Sequence, residues 1–129
     1  MKEIKDLLSL KSKILITTHV NPDGDAIGSS LALYNFLIKM GHDVTVVVPN
    51  DYPNFLKWMK SDDKIINFSE KTDYVKKLLN KIDIIFCLDF NNLKRINELG
   101  DVIQLSNAKK VLIDHHLNPD NFYDYKYHN

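Results

Sequence analysis

Short runs of apolar and β-branched residues alternate along the chain with longer segments in which apolar residues recur every three to four positions. The apolar runs predict strands, and the run over residues 82–90 is apolar almost throughout, which predicts burial on both faces of a sheet. Strands that alternate with helices predict an α/β fold with a mostly parallel β-sheet flanked by helices. The strand runs are KILITTH (13–19), HDVTVVVP (42–49), IDIIFCLDF (82–90) and KKVLIDHH (109–116).

Helical periodicity appears between these runs. A short helix is predicted within residues 1–13, and longer ones over 25–43, 71–81 and 91–106; residues 51–59 form a short helix or a loop. Gly41 is the expected helix stop. Residues 118–129 show no clear element, and because an α/β domain rarely ends so soon after a strand, we expect a longer protein. The expected inward side chains are Ile27, Leu31, Tyr34, Leu37 and Ile38, then Phe55, Trp58 and Met59, then Tyr74, Val75 and Leu78.

The composition narrows the classes of function. The 129 residues suffice for one domain, and 17 basic against 17 acidic side chains give zero net charge. Nonspecific binding along a nucleic-acid backbone usually needs a more basic protein, whereas a small phosphorylated substrate or a short oligonucleotide end fits this balance. The single cysteine, Cys87, excludes an intrachain disulfide and is expected to be a small buried hydrophobe. No signal peptide or membrane span is recognisable, so we expect a cytoplasmic protein; His42 and His128 are expected at the surface.

Side chains able to bind metal follow three of the predicted strands. Because parallel strands present their carboxyl ends at one edge of a sheet, we expect these side chains to converge there. Carboxylates and imidazoles without thiolates suit manganese or magnesium, with cobalt or zinc as further possibilities. Two such ions ~3.5–4 Å apart would activate a water and hold a phosphoryl group. The residues are His19, Asp23 and Asp25 after the first strand, Asp89 after the third, and Asp114, His115 and His116 at the end of the fourth.

Each residue in this set has an expected role. Asp23 and Asp25 would reach two neighbouring ions, with Asp89 as the bridge between them. His115 is the expected metal ligand of the final triplet, His116 a phosphate contact or proton donor, and Asp114 an acceptor that fixes an imidazole tautomer. Taken singly, each motif also fits an ordinary turn, a helix N-cap or a solvated strand end.

The residues at the start of the helix after the first strand have two possible interpretations. Ser29 and Ser30 could hold an anion at free helical N–H groups. Gly28 could instead only let the helix pack closely on a strand.

The segments HVNPDGDA, LDFNNLKR and IDHH resemble the DHH phosphoesterase family over essentially the whole chain. The family pattern H-x-x-P-D-x-D is present as His19, Pro22, Asp23 and Asp25. Within the family, the chain looks most like bacterial oligoribonucleases that also dephosphorylate 3′-phosphoadenosine 5′-phosphate. The resemblance implies that residues 1–129 are a Rossmann-like N-terminal DHH domain, incomplete, without the C-terminal substrate-binding domain.

The resemblance also implies two manganese ions, with short RNA oligonucleotides or nucleotide phosphates as substrates and no membrane partner. A homodimer of the full-length protein is compatible with it. Family members carry a further metal-binding aspartate after the triplet, so we expect weak or no activity from this chain alone. The implied ligands are His19, Asp23 and Asp89 for one ion and Asp25, Asp89 and His115 for the other, with Arg95 as a phosphate contact.

Other outcomes stay open. The chain could belong to a cyclic- or linear-dinucleotide phosphodiesterase, a single-strand exonuclease or a manganese pyrophosphatase of the same family. It could also be a noncatalytic module that senses nucleotides or metal.

Overall fold

The computed structural model describes residues 2–18, 24–50, 65–88, 97–114 and 123–128. The segment 51–59, with Phe55, Trp58 and Met59, lies outside these ranges. In chain order the elements are α1 (Lys2–Leu7), β1 (Lys13–Thr17), α2 (Gly24–Lys39), β2 (Asp43–Val48), β3 (Ile65–Asn67), α3 (Thr72–Leu79), β4 (Ile84–Leu88), α4 (Asn97–Leu105), β5 (Lys109–Asp114) and β6 (Tyr125–His128).

The strands form one sheet in the order β3-β2-β1-β4-β5-β6, and every neighbouring pair is parallel. This confirms the predicted α/β fold with a parallel sheet. The expectation that residues 118–129 hold no element is wrong, because β6 pairs with β5 at the edge of the sheet. Its sequence is polar, so apolar periodicity does not reveal it, and an edge strand needs backbone pairing on one side only. Directly before β6, the Asp124 N–H donates to the Lys110 carbonyl, and the Asp124 carboxylate accepts from the Lys110 N–H.

Alternating side chains of the central strands fill two apolar layers. Leu15 and Cys87 face one layer, which α3 and α4 cover, whereas Ile14, Ile16 and Phe86 face the other, which α1 and α2 cover. Every residue of β4 is buried, as the continuous apolar run predicts. Cys87 is fully buried, which confirms its predicted role as a small core residue.

Three sequence-based placements are wrong. Ile38 is 41% exposed and Tyr74 is 54% exposed. The buried face of α2 contains Leu37 instead, and the buried face of α3 contains Val75. His42 is only 5% exposed and is not a surface residue, since its Nδ1 accepts a hydrogen bond from the Ser12 backbone N–H at 3.1 Å. The side chain of His128 lies outside the described part of the chain.

Gly41 ends α2 as predicted. Its φ of 94° lies in the left-handed region that favours glycine, and its N–H donates to the Ile38 carbonyl at 2.9 Å. The chain reverses here and enters β2. None of the helices within the described ranges is long and apolar enough to cross a membrane.

Candidate functional site

The carboxyl ends of β1, β4 and β5 lie side by side at the middle of the sheet. Thr17 of β1 is in register with Cys87 of β4, which is in register with Leu112 of β5. With strands ~4.8 Å apart, this row of three spans about 10 Å. The three motif-bearing segments therefore leave the sheet from adjacent strands at one edge, as the predicted convergence requires.

Most of the predicted site residues lie beyond the described ranges. The described chain stops at Thr18, at Leu88 and at Asp114, each one residue short of a motif position. Asp25 lies in the first turn of α2 and Asp114 ends β5, but only their backbones are described. The ligand set and the individual roles therefore stay predictions. The residues outside the description are His19, Asp23, Asp89, Arg95, His115 and His116.

The first turns of α2 lie at the same edge of the sheet. Ile27 and Leu31 pack against Val48, the last residue of β2, so the helix begins over the carboxyl end of its neighbouring strand. The free N–H groups at the N-terminus of α2 therefore lie near the carboxyl ends of the strands. An anion bound to these N–H groups would be close to those strand ends.

The two serines of α2 differ in accessibility. Ser29 is exposed, whereas Ser30 is fully buried. Of the two, Ser29 alone has a side chain open to solvent. A Cβ atom at Gly28 would meet no described atom within 4 Å, so the explanation that this glycine serves close packing on a strand is wrong.

Two threonines at the end of β1 were not singled out by the sequence. Thr17 and Thr18 are both 0% exposed, and neither hydroxyl has a hydrogen-bond partner in the described part of the chain. A buried hydroxyl without a partner is uncommon and costs stability. The available signal was the pair TT inside an otherwise apolar strand, directly before the histidine of the first motif.

The thiol nearest this edge is not a nucleophile. Burial raises the pKa of Cys87 to about 12, although the positive charge of Lys110 acts in the opposite direction. The sulfur is therefore protonated at neutral pH, and thiolate chemistry at this edge is excluded.

A cleft of about 620 Å³ lies elsewhere, at the amino ends of β1, β2 and β4. Its acidic members are Asp43 and Asp83, and the Asp83 carboxylate already accepts the Lys13 backbone N–H at 2.9 Å. Ligands of open parallel sheets collect at the carboxyl ends of the strands, so this opposite cleft does not compete with the predicted site. Within the described ranges, no cluster of three or more metal-binding side chains occurs at either edge.

Comparison with known proteins agrees with this geometry. The family model of the DHH family, N-terminal domain, matches residues 13–129. A stretch of 72 residues, 56% of this chain, is 42% identical to the bifunctional oligoribonuclease and PAP phosphatase NrnA of Thermus thermophilus, and covers 20% of that protein. The fold matches a solved exopolyphosphatase-related protein from Bacteroides fragilis with a TM-score of 0.95 and 43% identity, over 99% of this chain and 38% of the other.

The chain therefore spans well under two thirds of the length of these two relatives. The family match nevertheless extends over nearly all of its residues and includes all three strand-end motifs. The chain belongs to the DHH family.

Proposed function

We propose that this chain forms the metal-binding part of a phosphoesterase that hydrolyses short oligoribonucleotides, 3′-phosphoadenosine 5′-phosphate, or both. The observation that carries the proposal is the row of adjacent strand ends, Thr17, Cys87 and Leu112, from which the three motifs depart. The Thermus relative is a bifunctional oligoribonuclease and PAP phosphatase, which supports this choice of substrates. The rest of the substrate contacts would come from residues beyond this domain.

The donor chemistry fits two divalent cations. The motifs supply carboxylates and imidazoles without thiolates, a set that suits manganese or magnesium. A row of about 10 Å matches the reach needed for side chains from three strands to meet at two ions ~3.5–4 Å apart. We propose His19, Asp23 and Asp89 for one ion and Asp25, Asp89 and His115 for the other. When bound, such ions lower the pKa of water and offset charge on the phosphoryl oxygens.

The remaining side chains have proposed roles around the phosphate. His116 would donate a proton to the leaving oxygen or a hydrogen bond to the phosphate, and Asp114 would orient an imidazole ring. Arg95 and the exposed Ser29 would bind phosphate oxygens, the latter beside the N-terminal turn of α2. Ser30 is buried and would support that turn from within.

The proposal is tested by one substitution with a matched control in the complete gene product. Asp89→Ala should abolish manganese-dependent hydrolysis of a labelled RNA dinucleotide, because a bridging carboxylate serves both ions. Asp43→Ala removes an exposed carboxylate at the opposite end of the neighbouring strand β2 and should leave turnover unchanged. Full activity of the Asp89→Ala protein would refute the bridging role.

The substrates that are hydrolysed distinguish the proposed function from the alternative functions. Incubation with the dinucleotide, with 3′-phosphoadenosine 5′-phosphate and with pyrophosphate should give release of mononucleotide and phosphate from the first two. Hydrolysis of pyrophosphate alone would identify a pyrophosphatase, and binding of manganese without any hydrolysis would indicate a sensing module.

A further inference from the structure

Thr17 is the last residue of β1, and Thr18 follows it directly before the first motif. Both side chains are fully buried, and Thr17 lies between Val47 of β2 and Cys87 of β4 in the register of the sheet. These two neighbours offer Thr17 no strong acceptor: valine has none, and the Cys87 thiol is protonated. The Thr17 hydroxyl is thus surrounded by apolar groups on both sides within the sheet.

Both hydroxyls lack a hydrogen-bond partner within the described ranges. The partly buried Thr72 differs, because its Oγ1 donates to the Phe68 carbonyl at 2.7 Å. The other buried side-chain atom without a partner within the described ranges is His42 Nε2, whose ring is held by the Ser12 N–H at Nδ1. Valine has nearly the same shape as threonine and would fill either position without an unpaired polar atom. A polar atom at two consecutive buried positions therefore indicates a partner outside the described part of the sheet.

The direction in which that partner lies follows from the topology. Towards the amino end, β1 continues into Ile14, Leu15 and Ile16, all buried in the apolar layers. Past the carboxyl end, the sequence continues directly into His19 after Thr18 and into Asp89 after β4, the first residues of two metal-ligand motifs. A hydroxyl can donate to a carboxylate and accept from an imidazole N–H, which are the two types of group in the proposed ligand set.

We propose that the hydroxyls of Thr17 and Thr18 are positioning groups that hydrogen-bond the side chains binding the divalent cations. They act through those ligands and do not touch the substrate. Hydrogen bonds from such groups to a metal ligand orient that ligand, and their removal typically weakens metal affinity by about 10- to 100-fold. This inference rests on the proposed function, because it requires a cation site at the strand ends.

The test measures manganese affinity by isothermal titration calorimetry in the complete gene product, with thermal unfolding of the metal-free protein measured alongside. Thr17→Val and Thr18→Val keep the side-chain volume and remove the hydroxyl. Each should weaken manganese binding by about tenfold or more, while the metal-free Tm stays equal or rises. Thr17→Ser and Thr18→Ser keep the hydroxyl and should retain affinity close to that of the original protein, even where the lost methyl group lowers the Tm.

The matched control is Thr45→Val, the same substitution at a partly buried position of β2 opposite Leu15, one strand away and before the carboxyl edge. It should leave manganese affinity unchanged. Unchanged affinity in both valine variants would overturn the inference and leave the proposed function intact. Serine variants that lose as much affinity as the valine variants would overturn it too, since packing would then be the cause. Absence of manganese binding in the unsubstituted protein would overturn both proposals.

Discussion

The buried thiol of Cys87 makes the stability of the fold depend on alkaline pH in a calculable way. Burial raises its pKa from an ordinary 9.0 to about 12. Below pH 9 the thiol is neutral in the folded and unfolded chain, so its contribution to stability is constant. Between pH 9 and 12 the unfolded chain loses the proton while the folded chain keeps it, and stability falls as pH rises.

The size of the effect follows from the same values. A difference of about 3 in pKa corresponds to roughly 4 kcal/mol, of which about 2 kcal/mol should be lost by pH 10.5. Other groups also titrate in this range, so the comparison is with Cys87→Ala, which removes the thiol from the same core position. The variant should be about 1 kcal/mol less stable at pH 7 and should lose less stability per pH unit above pH 9.

The assay is urea denaturation followed by circular dichroism at intervals from pH 7 to 10.5 for both proteins. The two curves of unfolding free energy against pH should cross above pH 9, and the Cys87→Ala protein should be about 1 kcal/mol more stable than the original at pH 10.5, because only the original protein loses about 2 kcal/mol through its thiol. Parallel curves over the whole range would refute the assignment, because they would mean that the thiol is no harder to ionise in the folded chain than in the unfolded one.

Further substitutions test packing and backbone conformation by chemical denaturation. Ile103→Ala in α4 should cost about 2–5 kcal/mol because the side chain is fully buried, whereas Leu105→Ala in the same helix, at a position 84% exposed, should stay within about 0.5 kcal/mol of the unsubstituted protein. Equal effects would contradict the assigned helix face. Gly41→Ala should destabilise by about 1 kcal/mol because φ is 94°, and Gly28→Ala in α2 should stabilise by about 0.5–1 kcal/mol because no described atom lies within 4 Å of its Cβ. Effects of the same sign would refute this contrast.

The fold was predictable because apolar periodicity is a property of short segments. The uninterrupted apolar run of β4 was enough to predict burial on both faces, and the alternation of strands with helices was enough to predict parallel neighbours. Edge strands carry a weaker signal. β6 is polar and short, and its strand geometry depends on pairing with β5, which single-sequence periodicity does not report.

Predictions for individual side chains were wrong where a tertiary hydrogen bond, or the position of a residue around the helix axis, decided burial. His42 is buried because its Nδ1 satisfies the Ser12 backbone N–H, a contact across 30 residues that no local pattern contains. Ile38 is beside Leu37 in sequence, but a rotation of 100° per residue moves it off the buried face. Motif and topology predict where the site lies, and its ligand set stays a prediction because coordination depends on side chains that sequence spacing does not orient.

The described polar groups differ between the amino and carboxyl ends of the strands. At the amino edge, the Asp83 carboxylate accepts from the Lys13 N–H and the Asp83 N–H donates to the Lys13 carbonyl at 2.8 Å. His42 Nε2 is buried there without a described partner, although the same ring accepts the Ser12 N–H at Nδ1. At the carboxyl edge, Thr17 and Thr18 are buried with no described partner. An unsatisfied buried hydroxyl lowers stability, so two of them at consecutive positions need a reason to be retained. The proposed cation site at the carboxyl edge would supply that reason, because ligands oriented by such hydroxyls bind metal more tightly than ligands free to rotate.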